Sequence, residues 1–210
     1  MTDLFKGYIN TEFKDAVVEF NHATGLDSDD FALEQKVNNI NLQANIVREE
    51  LIETITAWGD DEIETLDGLA DMWYTLVNLN EKLTLLADPE SEAYAEKHVN
   101  IRKLEMLSSL CEVVLHDLPS GFTDEQKLAA CKLVVDNNKG KYTTDKTEFD
   151  TWQYDKKLKP KQTLWNGVTY YCLVDRNGKV GKHKHFAKVC LKDVISLSDK
   201  TEVNEVEQWN

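Results

Sequence analysis

Apolar residues recur at helical spacing through the first two thirds of the chain, and strand formers replace them in the last third. Between Asp3 and His22, the series Phe5, Tyr8, Ile9, Phe13, Val17 and Phe20 is compatible with one or two short helices. T-G-L-D-S-D-D at Thr24 to Asp30 breaks the pattern and offers side chains that start helices. A long helix is predicted over Phe31–Trp58, with Ala44, Val47, Leu51, Ile55 and Trp58 in one narrow core-facing arc. Gly59 to Asp61 stops it. The next helix is predicted over Glu62–Leu86, with Leu66, Leu69, Trp73, Leu76 and Val77 as its apolar face. Asp88-Pro89 ends that segment, and a third helix is expected over Ser91–Leu115 on Tyr94, Val99, Ile101, Leu104, Leu107, Leu110 and Val114. L-P-S-G-F-T-D-E then makes a loop with Thr123 as an N-cap. A fourth helix follows over Asp124–Asn137, closed by N-N-K-G-K at Asn137 to Lys141.

Beyond Lys141 the period changes. Thr169–Asp175 and His185–Leu191 read as strands, and Asn177-Gly178 between them favours a tight hairpin turn. The expected fold is all-α: an antiparallel four-to-five-helix bundle over residues 1–141, joined by short connections. A small basic β-hairpin extension is expected over 142–195 and a polar tail over 196–210.

Composition adds constraints. The 210 residues are 41% hydrophobic, enough for a core, and carry a formal net charge of −14. Such acidity argues against nucleic acid as the main partner, because phosphate backbones are repelled. A small phosphorylated ligand stays compatible, since a divalent cation reverses the local field. The charge is uneven, with 13 Lys/Arg against 31 Asp/Glu in residues 1–150 and 10 Lys/Arg against 3 Asp in 151–195. With no long apolar run, no membrane partner is expected and the chain reads as cytoplasmic. Cys111, Cys131, Cys172 and Cys190 lie far apart with no C-x-x-C pair, as reduced thiols do.

The candidate chemistry sits on two acidic faces. Glu49, Glu50 and Glu53 border the apolar arc of the first long helix; Glu64, Asp67 and Asp71 share one face of the next with Thr75 and Asn78. Like charges three and four residues apart destabilise a helix unless a cation compensates. Consecutive helices joined by a short loop run antiparallel, so the two faces can converge on one cleft. Hard oxygen donors in that number suit Mg2+, with Mn2+ as the alternative. A solvated acidic surface is the competing interpretation. Among other candidates, His183 and His185 are either metal ligands on a strand or phosphate-facing or solvated side chains. Lys179, Lys182 and Lys184 form either a lid over phosphates or a basic strand edge that resists aggregation. Tyr74, off the apolar arc, is a better base-stacking candidate than Trp73. Asn41 and Gln43 either read a base edge or lie on the surface, and Cys111 and Cys131 look like small core residues.

E-E-L-I-E at Glu49 to Glu53, followed by D-G-L-A-D-M-W-Y at Asp67 to Tyr74, resembles the all-α nucleoside triphosphate pyrophosphohydrolases. This superfamily holds MazG, the dimeric dUTPases, the dCTP pyrophosphatases and phosphoribosyl-ATP pyrophosphohydrolase. Asn138-Lys139-Gly140-Lys141 resembles its later N-x-x-K element, and Phe20 to Gly25 with Asn177 to Phe186 resembles a phage-type branch with a basic extension. The resemblance implies Mg2+-dependent cleavage of a nucleoside triphosphate to the monophosphate and pyrophosphate. It makes Glu50, Glu53 and Asp71 metal ligands and Glu49 the group that orients or deprotonates water. It also makes Asn138, Lys139 and Lys141 phosphate-binding, with Tyr74, Lys179 and Lys182 as further nucleotide contacts. A homo-oligomer, dimer or tetramer, in the host cytoplasm is implied too, acting on deoxynucleotide pools where some relatives take dGTP or dATP. The chain departs from the family at one position. The family's E-x-x-D would place its Glu on Gly68, so either Asp67 or Glu64 replaces it, or the site has lost a metal or its activity. Phosphoribosyl-ATP hydrolysis and a catalytically dead nucleotide-binding or inhibitory module are the alternatives.

Overall fold

Residues 62–84 form a helix around which the rest of the chain packs. A computed structural model describes residues 11–27, 31–86, 88–117, 121–187 and 190–196. In order they form α1 (Thr11–Ala23), α2 (Leu33–Ala57), α3 (Glu62–Thr84), α4 (Pro89–His98) and α5 (Ile101–Glu112), which runs on into a π-helical turn at Val113–Asp117. Next come α6 (Asp124–Lys139), β1 (Tyr142–Thr143), α7 (Lys146–Thr151), β2 (Lys159–Trp165), β3 (Val168–Val174) and α8 (Lys192–Ile195). Among the described residues, no helix is long and apolar enough to cross a membrane.

The central helix is buried on two flanks. Leu69, Met72, Leu76, Leu79 and Leu83 pack with α2, α4 and α5, while Leu66, Ala70, Tyr74 and Val77 pack with α1, α6 and α8. Each fully buried leucine contributes about 1.5–3 kcal/mol, so this double burial holds α3 as the spine. Its start is set by Asp61, whose carboxylate accepts from the amides of Ile63 and Glu64 at 2.9 and 3.1 Å. The turn from α2 into α3 passes through Gly59 at φ +86°, a conformation that glycine adopts without strain.

Four expectations are corrected here. The all-α four-to-five-helix bundle with a small hairpin is replaced, among the described residues, by eight α-helices and a three-stranded antiparallel sheet, ordered β1-β3-β2. Two sequence cues that were passed over account for the sheet. Asn166 and Gly167 both adopt positive φ (48° and 76°) and make the tight loop between β2 and β3. Tyr142 and Thr143, just past α6, pair with Cys172 and Tyr171. The hairpin therefore joins 159–165 to 168–174, and residues 185–187 are not a strand. Asn177-Gly178 does turn the chain, but closes only a single bridge between Val174 and Val180.

The third helix is two helices, because Val99 is extended and the Asn100 side chain caps a new start by accepting from the Lys103 amide at 3.0 Å. Finally, Ile55 and Trp58 are exposed rather than core, and Thr54 takes the buried position facing α3. Phe5, Tyr8, Ile9 and the expected polar tail beyond 196 lie outside the described residues, as does the Phe13 side chain.

The sheet is tied to the helices. Lys161 donates to the Gly25 carbonyl at 2.8 Å, and His22 stacks on Trp165 at 4.8 Å. After β3, residues 175–187 return across the helices as a strap. Gly181 donates its amide to Leu173, Lys184 to the Gln153 carbonyl, and the Asn137 side chain donates to Ala187. His183 stacks on Trp152 at 4.4 Å, so it packs as an aromatic.

Candidate functional site

The α2/α3 pair, the end of α6 and the strap enclose a cleft of about 650 Å3. On α3 one face supplies Glu64, Asp67, Asp71, Thr75, Asn78 and Lys82 in succession; α2, running the other way, supplies Glu53, Glu50 and Gln43. Chemistry therefore changes along the cleft, from carboxylates at the solvent end, through amides, to a buried lysine. At about 1.5 Å per helical residue, Asn78 lies roughly 10 Å and Lys82 roughly 16 Å beyond Asp71.

At the acidic end the carboxylates repel one another. Burial, then the charges of Asp71 and Glu53, raises the Glu50 carboxyl to about 7, with Lys179 opposing. Burial, then the charge of Asp67, raises Asp71 to about 6, against Lys141 and Lys182. Three lysines complete this end. Lys141 is lowered to about 8 by burial and by Lys182, against the pull of Asp71 and Glu50. Asn138 holds it in place: its side-chain amide donates to the Val134 carbonyl at 2.9 Å while its Oδ1 accepts from the Lys141 ammonium. The same ammonium lies 6.0 Å from the centre of the Phe20 ring. The strap carries Lys179 and Lys182 into the wall. A Cβ at Gly181, between them, would lie 2.5 Å from Leu158 Cδ2, so a larger residue there would require the Leu158 side chain to move.

Gly68, where the resemblance expects a carboxylate, faces away from the cleft. A Cβ there would meet Thr54 Oγ1 at 2.5 Å and its Cα at 3.0 Å. The α2 backbone at Thr54 lies against this position, and a glutamate would force the helices apart. Asp67 is the closer substitute, being the strongest charge felt by Asp71; Glu64 lines the cleft one turn further out.

The remaining predicted site residues divide clearly. Glu53, Asn138, Lys141, Lys179, Lys182 and Tyr74 all line the cleft. Glu49 is on the rim, exposed and 3.6 Å from Lys179. Lys139 points outward to Asp136, three residues back. Tyr74 is buried edge-on to Phe20 at 6.1 Å, and its hydroxyl has no hydrogen-bond partner among the described residues. Gln43 reaches the cleft, whereas Asn41 reaches the His98 carbonyl instead. Cys111 and Cys131 are buried. Sequence reasoning passed over Lys82, although its spacing continues the face of Asp71, Thr75 and Asn78 by one further turn.

Among the described residues, no three His, Cys, Asp or Glu side chains stand close enough to form a ready-made metal cage. The donor chemistry nonetheless fits a hard divalent cation. Glu53, Asp67 and Asp71 are oxygen donors on facing helices, and Mg2+ keeps several waters while taking one or two carboxylates. Burial, reinforced by neighbouring carboxylates, raises both Glu50 and Asp71, as in a site with unbalanced negative charge. No family model matches the chain, and neither a curated protein nor a solved structure matches it.

Proposed function

We propose that the protein is a Mg2+-dependent nucleoside triphosphate pyrophosphohydrolase. One observation carries the proposal: a single cleft places carboxylates with three lysines at one end and buried amides about 10 Å along from Asp71. That is the spacing and polarity of a nucleotide, with its phosphates among the charges and its base among the amides. Cleavage between the α and β phosphates rests on the resemblance of Glu49–Glu53 and Asp67–Tyr74 to the pyrophosphohydrolase motifs.

Glu53, Asp67 and Asp71 would hold the cation, which supplies charge neutralisation and acidifies bound water. Glu50, rather than rim-bound Glu49, takes the proton of the attacking water, since a base poised near neutrality suits that role. The water oxygen bonds to the α phosphorus, the bond to the bridging oxygen breaks, and pyrophosphate leaves. Lys141, Lys179 and Lys182 balance the charge spreading over the phosphate oxygens. Asn138 positions Lys141 rather than touching substrate itself.

The test is pyrophosphate release by the full chain with Mg2+ against a panel of ribo- and deoxynucleoside triphosphates. Glu50→Gln and Asp71→Asn should each lower turnover at least about a hundredfold with the far-UV spectrum unchanged. Nucleotide binding without any pyrophosphate release would reject the enzyme in favour of a binding module.

A further inference from the structure

The buried end of the cleft carries a lysine paired with an aspartate, which shape recognition alone does not need. Lys82 is 3% exposed yet lines the cavity. Its ammonium donates to Asp27 Oδ2 at 3.0 Å and to the Leu26 carbonyl at 3.5 Å. Asp27 stands behind it, buried and outside the cavity wall. An ammonium has three donors, of which Asp27 and the Leu26 carbonyl take two.

One turn back on the same face is Asn78, also buried. Its Oδ1 accepts from the Asn21 amide at 3.2 Å, which leaves its own NH2 for the cavity. Across from it on α2, the Gln43 amide donates to the Thr75 carbonyl at 3.0 Å. A carbonyl only accepts, so that bond fixes the orientation of the side chain and leaves Gln43 Oε1 as an acceptor. The end wall thus presents one neutral acceptor, one neutral donor and one cationic donor.

We propose that this end selects nucleotides whose base carries a ring carbonyl beside a ring N–H, as guanine, uracil and thymine do. It disfavours bases with an amino group beside a bare ring nitrogen, as in adenine and cytosine. The inference rests on the nucleotide assignment made above. Gln43 and Asn78 alone do not discriminate, because an amide acceptor and donor pair with either edge. Lys82 decides. A ring carbonyl satisfies its ammonium, whereas an amino group turns donor toward donor and leaves a buried charged donor unpaired, a larger penalty than an unpaired neutral one. Sites built to hydrogen-bond a particular group reject ligands that lack it by large factors.

The experiment measures kcat/KM for dGTP, dUTP, dTTP, dATP and dCTP on the full chain with Mg2+, and ranks the same five by calorimetric binding. The carbonyl-bearing bases should lead the amino-bearing ones by about tenfold or more. In the double variant Lys82→Met/Asp27→Asn, which removes both charges together, the ratio should fall to about threefold or less, whatever the absolute rate. In Asn78→Asp, which turns a donor into an acceptor, carbonyl-bearing bases should lose more than amino-bearing ones. Equal or better use of dATP or dCTP by the unaltered protein overturns the inference, as does a ratio unmoved in the double variant. If no triphosphate is hydrolysed, the pyrophosphohydrolase assignment fails, and the binding ranking still decides the base preference.

Discussion

Burial of carboxylates and their repulsion at the acidic end predict a protein that destabilises itself as pH rises when metal is withheld. Glu50 is raised from 4.5 to about 7 in the fold. Between those values the native state binds more protons than the unfolded chain, so stability is fully present below about 4.5 and is lost as pH climbs through about 7. At about 1.36 kcal/mol per pKa unit, the full shift would correspond to roughly 3 kcal/mol. Glu50 is in partial contact with solvent, and screening reduces that to about 1–2 kcal/mol. Replacing the carboxylate by an amide should remove the penalty. Glu50→Gln should therefore melt about 3–6 °C above the unaltered protein at pH 8 in EDTA, given about 2–4 °C per kcal/mol for a chain of this size. At pH 4 the two should coincide, because both carry a neutral group there. Saturating Mg2+ at pH 8 should stabilise the unaltered protein more than the variant, since ligand binding to the native state adds to its stability. The assay is thermal unfolding from pH 4 to 8.5, with EDTA and with Mg2+. A variant less stable than the parent at every pH, or an identical pH slope in both, would refute the electrostatic account.

Gly68→Ala should lower stability by about 1–3 kcal/mol by overpacking the helix crossing, and Gly68→Glu should do so without tightening Mg2+ binding. Denaturant melts and metal titration check both. Lys179→Ala and Lys182→Ala should each raise KM for nucleotide several-fold and flatten its salt dependence, because each removes a phosphate-facing charge; steady-state kinetics at two ionic strengths decide. A homo-oligomer, dimer or tetramer, is expected to form; its interface should include Ile52 and Ile55 of α2 or Met106 and Leu110 of α5, all of which are exposed. Light scattering on the unaltered chain and on Ile55→Lys would settle it, a monomer in both refuting the idea.

The sequence was legible where a local rule decides and obscure where a distant neighbour does. Thr123 caps a helix, as its position suggests, because a cap needs only the next three amides; Asp61 and Asp88, read from sequence as stops, also cap the helices that follow them. The acidic faces of α2 and α3 line one cleft, since helix periodicity and a short loop leave little freedom. Ile55 and Trp58 were misplaced because the core side of α2 ends at Thr54, where close contact with Gly68 leaves no room for a larger side chain. That contact is invisible along one chain. Likewise Lys139 and Lys141 look interchangeable in sequence, but the helix end turns one outward and the other into the cleft. Strand-forming composition at 185–191 misleads, because residues 185–187 lie in the strap, where the Ala187 carbonyl accepts from the Asn137 side chain of α6 instead of pairing in a ladder.

The strap also sets an order of events during synthesis. Chains emerge N-terminus first and fold in units as they do so. The carboxylate-bearing helices are complete by Thr84, but their balancing lysines arrive only at 141, 179 and 182. For that interval the nascent helices must tolerate their own repulsion or borrow a cation from solution. A ribosome-bound fragment ending before Lys141 thus carries the acidic faces without those lysines, and under the proposed function it would be the species that gains most from added Mg2+.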